Sequence, residues 1–497
     1  MRGITSWNAN PYKLLNAPET KHELFINRII PIKGGFQYAY QDTRDCGHIL
    51  CYRPMASDAA WSREPAENNG CVRYLEESVD YTVYIERADG TLKSTERYVC
   101  TGGTIGTVVN YLHPMDLTYA FSGRFLCSPS LVVLPGGKMI ASMDVYAPRH
   151  AQNLTLLYES ADNGSSWTYL TDLFPCYWGK LFFHRGRLYM LAVSTEYGDL
   201  LIGASVDEGK TWSPPVRLFN GTNSREIGPH KAPMPVVEHE GRLYTGIDYG
   251  SWKYGSHDSA ILSISVDAEL LNPSDWSLTK PLAFDTQWPG LPGGALRGCL
   301  EGNAVVDPDG KIVNILRLEQ YHAEIPCGHA VILEMIDSDK PLQFRKVIQF
   351  PLGANSKFVV LKDGGFYIAV GNEWIDHTVP RARNVLSLAV SKDLENWKVV
   401  KRIVDMRESS AAFTAFQYPD MQVYGDDLLV LSRTAWNGAH SFHDSNMVTF
   451  HRVENFRKYY SEASFWTEPL FPHEMTIPSL GTGNISGKAS YFKMEAK

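Results

Sequence analysis

Short apolar runs separated by polar turns make up most of the chain. A typical unit is LVVLPGGKMIASMDV, which begins at Leu131 and consists of an apolar run, a turn with glycines and a second apolar run. This order predicts a β-hairpin with a tight turn. The turns recur at intervals of 49 to 69 residues, roughly the length of one four-stranded propeller blade. They are marked by Gly137, Gly186, Gly241, Gly310, Gly364 and Asp426.

A second repeated element follows several of these hairpins. Residues 160–167 read SADNGSSW and residues 205–212 read SVDEGKTW, while residues 265–276 and 391–397 hold a longer and a shorter version. The aspartate and the glycine are typical of a tight turn, and the tryptophan can pack between neighbouring sheets. These turns stay in phase with the hairpins, so we predict that they hold blades together and take no part in catalysis.

The two repeats together predict an all-β chain that folds as a β-propeller with six clear four-stranded blades, over residues 121–456. The repeat fades in residues 1–120, where we expect an N-terminal β region that forms either a decayed seventh blade or a closing element. The tail, residues 457–497, is expected either to fray or to supply a closing strand.

The hairpins carry chemically active side chains at the ends away from their turns. In EGNAVVDPDGKIVNILR, Glu301 and Arg317 are equidistant from the turn, and Tyr418 and Arg433 are related in the same way. Hairpin register therefore predicts that the members of each pair meet. In a propeller these open ends line one mouth of the axial channel, where sites collect. Further candidates at these ends are His230, Lys231, Trp252, His257, Glu319, His322, Glu373, Asp376, His377, Arg383, Asp420, His440 and His443.

The composition argues against some classes of binding partner. A net charge of −8 argues against a nucleic-acid-binding surface and against a basic membrane patch. No apolar run has the length of a membrane span, and the first residues lack the apolar core of a signal peptide, so we expect a cytoplasmic location. The eight cysteines form no Cys-x-x-Cys pair. Cys46, His48 and Cys51 lie close together but do not make four ligands, so we expect free thiols, no metal and no cofactor.

With these repeated turns and hairpins, residues 120–456 resemble the sialidase superfamily, the β-propellers with Asp-box (BNR) repeats. In that family a glutamate polarises a tyrosine nucleophile, three arginines clamp the substrate carboxylate, and an aspartate acts as acid/base. The resemblance implies Tyr418 as the nucleophile, Glu301 as its base and Asp144 as the acid/base. It implies Arg317 as one clamp and either Arg383 or Arg433 as another, and we add His230, Lys231, Trp178 and Trp252 as further substrate contacts, the tryptophans by stacking on sugar rings.

The chain departs from the family pattern at one place. Sialidases open the first inner strand with Arg-Ile-Pro, whereas this chain reads Cys127-Ser128-Pro129, with Arg124 three residues earlier. We therefore expect a divergent, sialidase-like glycoside hydrolase that acts on a terminal sugar of an oligosaccharide or glycoconjugate. Two alternatives stay open: a lyase that cleaves a uronate-containing glycan by β-elimination with His230, Tyr418 and Arg317, and a non-catalytic glycan-binding propeller.

Overall fold

The computed structural model describes residue 7 and residues 23–56, 58–223, 225–293, 296–320, 328–353, 355–375 and 382–463. Most of the predicted tail, residues 464–497, lies outside them. Their helical segments are 3₁₀ turns at Pro273–Asp275 and Phe456–Tyr459 and one short helix, α1 (Tyr460–Ala463). None of these helices is long and apolar enough to cross a membrane.

Two sheets at the N-terminus form a unit of their own. Its strands are β1 (Leu24–Ile32), β2 (Gly35–Asp42), β3 (His48–Pro54), β4 (Ser62–Pro65), β5 (Gly70–Arg73), β6 (Asp80–Arg87) and β7 (Arg97–Cys100). The next strand, β8 (Thr107–Tyr111), leaves this unit. One sheet has the order β1-β2-β5 and the other the order β4-β3-β6-β7. Ile26 and Phe36 of the first sheet and Leu50 and Val83 of the second share one buried core. This region is therefore a two-sheet unit and not a blade.

Six further sheets form the propeller. Blade 1 contains β9 (Phe125–Val133), β10 (Met139–Tyr146), β11 (Thr155–Ser160) and β12 (Thr168–Leu173). Blade 2 contains β13 (Tyr177–His184), β14 (Arg187–Val193), β15 (Leu200–Ser205) and β16 (Val216–Phe219). Blade 3 contains β17 (Gly228–His230), β18 (Val237–His239), β19 (Arg242–Ser251), β20 (Ser256–Ser265) and β21 (Ser277–Leu278), and its first two strands both pair with β19.

The last three blades follow the same plan. Blade 4 contains β22 (Leu296–Val306), β23 (Ile312–Gln320), β24 (His329–Glu334) and β25 (Gln343–Gln349). Blade 5 contains β26 (Val359–Asp363), β27 (Phe366–Asn372), β28 (Val385–Ser391) and β29 (Lys398–Asp405). Blade 6 contains β30 (Ala415–Tyr424), β31 (Asp427–Ala435) and β32 (Met447–Val453), and β8 from the N-terminal region is its outermost strand.

Apolar clusters join each blade to the next and close the ring. Leu429 and Leu431 of blade 6 pack with Leu131 and Met143 of blade 1, and clusters of the same kind lie between the other successive blades. The prediction of an all-β propeller with six blades is confirmed. The seventh blade that the sequence left open is not part of this ring, because blade 6 contacts blade 1 directly. The N-terminal region contributes the closing strand β8 instead.

The repeated turns have the structural part predicted for them. In residues 205–212, the backbone N–H of Thr211 donates to Oδ1 of Asp207 at 2.9 Å, and Nε1 of Trp212 donates to the Gly209 carbonyl at 2.9 Å. The Trp212 side chain is buried between blades 1 and 2. These turns therefore fix the spacing between neighbouring sheets. They lie at the outer strands of the blades, away from the open ends of the inner hairpins.

Candidate functional site

Five blades hold a non-glycine residue in the left-handed region at the open end of the hairpin. These residues, with φ between 49° and 58°, are Ser128, Trp178, Glu301, Asn355 and Tyr418. At Glu301 and Tyr418 the pairing with the second strand shifts, so each residue sits in a bulge. A positive φ is costly for a residue with a side chain, and residues strained in this way cluster at active sites. The bulges point to the axial mouth of the propeller as the site.

Three arginines surround Tyr418. Nη1 of Arg317 donates to the Tyr418 hydroxyl at 3.3 Å, and Cζ of Arg383 and Cζ of Arg433 each lie 5.2 Å from the centre of its ring. Burial alone would raise the pKa of Tyr418, but the positive charges of Arg383, Arg317 and Arg433 outweigh it and lower the pKa below its usual value. A phenol with a lowered pKa is a candidate nucleophile.

Two carboxylates hold Arg317 in place. Its Nη1 lies 3.3 Å from Oε2 of Glu301, and its Nη2 lies 2.6 Å from Oε2 of Glu319. The backbone N–H of Glu301 donates to Oδ2 of Asp248 in blade 3 at 2.7 Å, which fixes the bulge. The predicted meeting of Glu301 and Arg317 is thus present, and Arg317 lies between Glu301 and the Tyr418 hydroxyl.

Each of the other two arginines donates a hydrogen bond to a neutral group. Nη1 of Arg383 donates to Oε1 of Gln417 at 2.6 Å, and Nη2 of Arg433 donates to the His443 carbonyl. Burial, with the charge of Arg433, lowers the pKa of His443 to about 4, so the His443 ring adds no positive charge here at neutral pH. Both guanidinium groups lie 5.2 Å from the centre of the Tyr418 ring, so their positive charges act at the place where an anion would bind beside it.

Aromatic and imidazole rings cover the blade 2 and blade 3 side of the mouth. Their centroids are 4.3 Å apart for Trp178 and His230, 5.0 Å for His230 and His257, and 4.7 Å for Trp252 and His257. The Tyr197 hydroxyl lies 3.1 Å from Nε2 of His257. Burial and the charges of His230 and Arg317 hold the pKa of His257 well below its usual value. Trp252 keeps 37% of its surface exposed and so offers a face for stacking.

Glu196 is a further ionisable residue at this mouth, and sequence reasoning missed it. It follows β14 at the open end of the blade 2 hairpin and is half-buried. Burial raises its pKa to about 7, against the opposing effects of His230 and of a hydrogen bond with Trp252. The sequence did contain one signal for Glu196: it lies three residues beyond the end of the second strand of its hairpin, where the other candidates were found. A carboxyl group with this pKa can hold and release a proton near neutral pH.

Tyr146 connects Glu196 to the arginine side of the site. Its ring lies 5.4 Å from Cζ of Arg433. Burial raises the pKa of Tyr146, and the charges of Asp444 and Glu196 raise it further, so Glu196 is within electrostatic reach of this ring. A small cavity is lined by Trp252, His257 and Glu319, and Glu319 is in turn paired with Arg317. Each of blades 1 to 6 thus contributes at least one side chain to this group of residues.

Two of the predicted site residues are used inside the fold. Asp144 is fully buried, its Oδ1 accepts from the Thr155 hydroxyl at 2.5 Å, and its Oδ2 accepts from the backbone N–H of Trp178 at 2.7 Å. Burial raises its pKa to about 7. Lys231 is also fully buried and donates to the Ala232 carbonyl at 2.9 Å. The structure therefore brings Tyr418, Glu301, Arg317, Arg383, Arg433, Trp178, Trp252 and His230 to the mouth, and places Asp144 and Lys231 behind it.

Other predicted candidates have structural partners or lie outside the described residues. Glu373 forms an ion pair with Arg402 at 2.9 Å. Asp420 pairs with Lys180 at 2.5 Å and accepts from the Leu131 backbone N–H, which joins blades 6, 2 and 1. His322, Asp376 and His377 are outside the residues that the structure describes.

Residues 185–430 match the family described as the BNR repeat-like domain. Comparison with curated proteins finds no match. Among solved structures the chain is similar to the α-L-arabinanase of Penicillium chrysogenum complexed with arabinobiose, at 13% identity and a TM-score of 0.47, over 71% of this chain and 99% of that one. It is also similar to the GH93 α-L-arabinofuranosidase of Fusarium graminearum, at 13% identity and a TM-score of 0.47, over 73% and 99%. A third similar structure is the Hadza microbial sialidase Hz136, at 10% identity and a TM-score of 0.48, over 87% and 92%. At TM-scores this low, none of these similarities indicates what this chain binds.

Proposed function

We propose that the chain, whose residues 185–430 match the BNR repeat-like domain, is a sialidase-like glycoside hydrolase that releases a terminal acidic sugar at the mouth of its axial channel. The observation that carries this proposal is the position of Tyr418 among Arg317, Arg383 and Arg433. Three cations around one phenol favour both a phenolate nucleophile and an anionic substrate.

Recognition rests on charge and on ring faces. Arg383 and Arg433 bind the carboxylate of the sugar, since both guanidinium groups lie beside the ring of Tyr418 and offer planar sets of N–H donors. Arg317 is already paired with Glu301 and Glu319, so its part is to position the Tyr418 hydroxyl. The exposed face of Trp252 stacks on the ring of the sugar or of the leaving group.

The chemistry uses two groups on opposite sides of the site. The Tyr418 oxygen attacks the anomeric carbon while the glycosidic C–O bond breaks, and Glu196 gives its proton to the departing oxygen. Glu196, now ionised, takes a proton from water, and that water displaces Tyr418 from the anomeric carbon. In this scheme Glu196 has the acid/base part first assigned to Asp144, whose carboxyl group is enclosed in the fold. Glu301 balances the charge of Arg317 and accepts the phenolic proton when Tyr418 is neutral.

A lyase reaction is the second candidate, and one contact favours it. The Tyr197 hydroxyl lies 3.1 Å from Nε2 of His257, and this imidazole is kept neutral next to Arg317. A neutral imidazole can remove the proton α to a uronate carboxyl group that an arginine neutralises, and a tyrosine can protonate the leaving oxygen.

The test is a panel of sialylated, rhamnosylated and uronate-bearing oligosaccharides, incubated with the wild-type chain and with Tyr418→Phe. A new reducing end without ultraviolet absorbance, lost in the variant, supports hydrolysis. Absorbance from an unsaturated uronate supports the lyase, and binding without turnover supports a glycan-binding propeller. A fluorinated analogue that traps a glycosyl group on Tyr418, seen by peptide mass spectrometry, would establish the covalent step directly.

A further inference from the structure

The N-terminal unit contains a group of metal-binding side chains far along the chain from the axial site. Asp42 ends β2, His48 begins β3, and Cys46 lies in the connection between them. Nε2 of His48 is 2.8 Å from Oδ2 of Asp42, and Sγ of Cys46 is 3.8 Å from Nε2 of His48 and 3.9 Å from Oδ2 of Asp42. Carboxylate, imidazole and thiolate are the three ligand types that zinc uses in proteins.

We propose that Asp42, Cys46 and His48 bind one divalent transition-metal ion of the zinc class. With bonds of about 2.0 Å to O and N and about 2.3 Å to S, these separations require angles at the ion of roughly 90°, 120° and 130°. Their sum is below a full circle, so the ion fits above the plane of the three donors as the apex of a distorted tetrahedral face. One position stays open, and since Cys46 is only partly buried, water can fill it.

The surroundings orient the three donors. Arg87 holds Asp42 with Nη2 at 2.6 Å from Oδ1 and Nε at 2.8 Å from Oδ2, and the Tyr40 ring lies 4.8 Å from the His48 ring. The side chains of Asp42 and His48 are 3% and 7% exposed. Groups of this kind fix the orientation of metal ligands in known sites. The sequence pointed to Cys46, His48 and Cys51, but Cys51 interacts with Tyr84 instead, and Asp42 supplies the third donor.

Metal at this place would cross-link the two N-terminal sheets. Asp42 belongs to the sheet of β1, β2 and β5, and His48 belongs to the sheet of β3, β4, β6 and β7. Only a short connection joins them here, so an ion would tie the sheets together in addition to the shared core. The competing explanation is a metal-free network in which Arg87 and His48 satisfy Asp42 and Cys46 is a bystander.

The experiment is titration of the full chain, purified with chelator, with Co²⁺ as a spectroscopic probe and with Zn²⁺. We expect a thiolate-to-cobalt charge-transfer band at about one equivalent, its displacement by Zn²⁺, and a rise in melting temperature with Zn²⁺. Cys46→Ser should lose both the band and the rise. Cys71→Ser is the matched control, since Cys71 is an exposed free thiol in the same unit.

Cys46 is partly exposed, so serine at this position should fold, and His48→Gln provides a second variant that should lose the same signals. A wild-type chain without a charge-transfer band, or a band that survives in Cys46→Ser, overturns the proposal. Activity at the axial site is not a readout here, so failure of this proposal leaves the proposed function untouched.

Discussion

Arg317 donates a hydrogen bond to the hydroxyl of Tyr418 at 3.3 Å, across the space between blades 4 and 6. The same Nη1 lies 3.3 Å from Glu301. One guanidinium group therefore connects the candidate nucleophile to its candidate base. A change in the charge of either partner alters the electrostatics of the other, so the three residues should be tested as a unit.

Removing the Tyr418 hydroxyl should abolish turnover without unfolding the chain. We expect Tyr418→Phe to lower kcat by roughly a thousandfold or more, because the phenolic oxygen is the atom that forms the glycosyl intermediate in the proposed mechanism. The measurement is kcat on the substrate found with the oligosaccharide panel. Tyr424→Phe is the matched control, since Tyr424 ends the same strand at its turn and is 39% exposed. Full activity of Tyr418→Phe would remove Tyr418 from the mechanism.

Arg383 should matter both for affinity and for the ionisation of Tyr418. Arg383→Met should cost roughly 2–5 kcal/mol, at least about thirtyfold in kcat/KM, for an acidic substrate. Because the Arg383 charge lowers the pKa of Tyr418, its loss should move the limb of the pH–rate profile that reports Tyr418 ionisation to higher pH.

Two controls separate these effects. Arg383→Lys keeps the charge and should leave that limb near its wild-type position. Arg402→Met, which breaks an exposed pair with Glu373 on the same blade, should change neither quantity. An unchanged limb in Arg383→Met would show that Arg383 does not tune Tyr418.

Glu196 should act as the general acid, with a protonated form that disappears above about pH 7. Glu196→Gln should lower kcat by about 10²–10⁴-fold on a natural glycoside and should remove the decline of activity at alkaline pH. An aryl glycoside has a leaving group that needs no proton, so in the first turnover the variant should release the aryl group at close to the wild-type rate, although the later step, which uses Glu196 as base, stays slow. Glu208→Gln, an exposed glutamate paired with Lys138, is the matched control. Equal losses on both substrates would contradict the assignment.

Substitutions of two tryptophans should have different effects, one on substrate binding and the other on the stability of the fold. Trp252→Ala removes an exposed ring at the mouth and should raise KM with little effect on melting temperature. Trp212→Ala removes a ring buried between blades 1 and 2 and should lower the free energy of unfolding by about 3–5 kcal/mol with KM unchanged. Substrate titrations and thermal melts of both variants give the comparison. A lowered melting temperature in Trp252→Ala would mean that its ring is part of the core.

Hairpin register made the meeting of Glu301 with Arg317 predictable from the sequence. The turn fixes which residues oppose each other, and the two-residue period of a strand fixes the face of the sheet on which their side chains lie. The bulges were not predictable, because pairing residues by their distance from the turn assumes a register without shifts. Asp144 shows the consequence: the register of β10 shifts between Ser142 and Asp144, and Asp144 bonds to blade 2 instead of facing the mouth.

Long-range packing explains what else the sequence did not show. Glu196 looks like an ordinary loop carboxylate, and its pKa is raised only by burial in the folded chain, against the opposing effects of His230 and Trp252 of the next blade. The N-terminal region has the same pattern of apolar runs and polar turns as the blades. Whether such hairpins form a blade or a separate two-sheet unit depends on how many sheets close the ring, which no local pattern states.

Asp144 should make stability depend on pH in the direction opposite to an ion-paired carboxylate. Its pKa is about 7 in the folded chain and near 3.8 when unfolded, so the folded state binds the extra proton between these values. Its stabilising contribution is present below about pH 4 and is lost as the pH rises towards about 7. Asp144→Asn cannot ionise, so its melting temperature relative to the wild-type chain should rise from about pH 5 to about pH 8. Asp162→Asn is the control: hydrogen bonds from Ser166 and Ser160 outweigh burial and lower the pKa of Asp162, so its contribution changes only below about pH 4 and its gap to wild type should stay constant from about pH 5 to about pH 8. A gap between Asp144→Asn and wild type that does not change with pH would show an ionised Asp144, and loss of turnover in a stably folded Asp144→Asn would return the acid/base part to this residue.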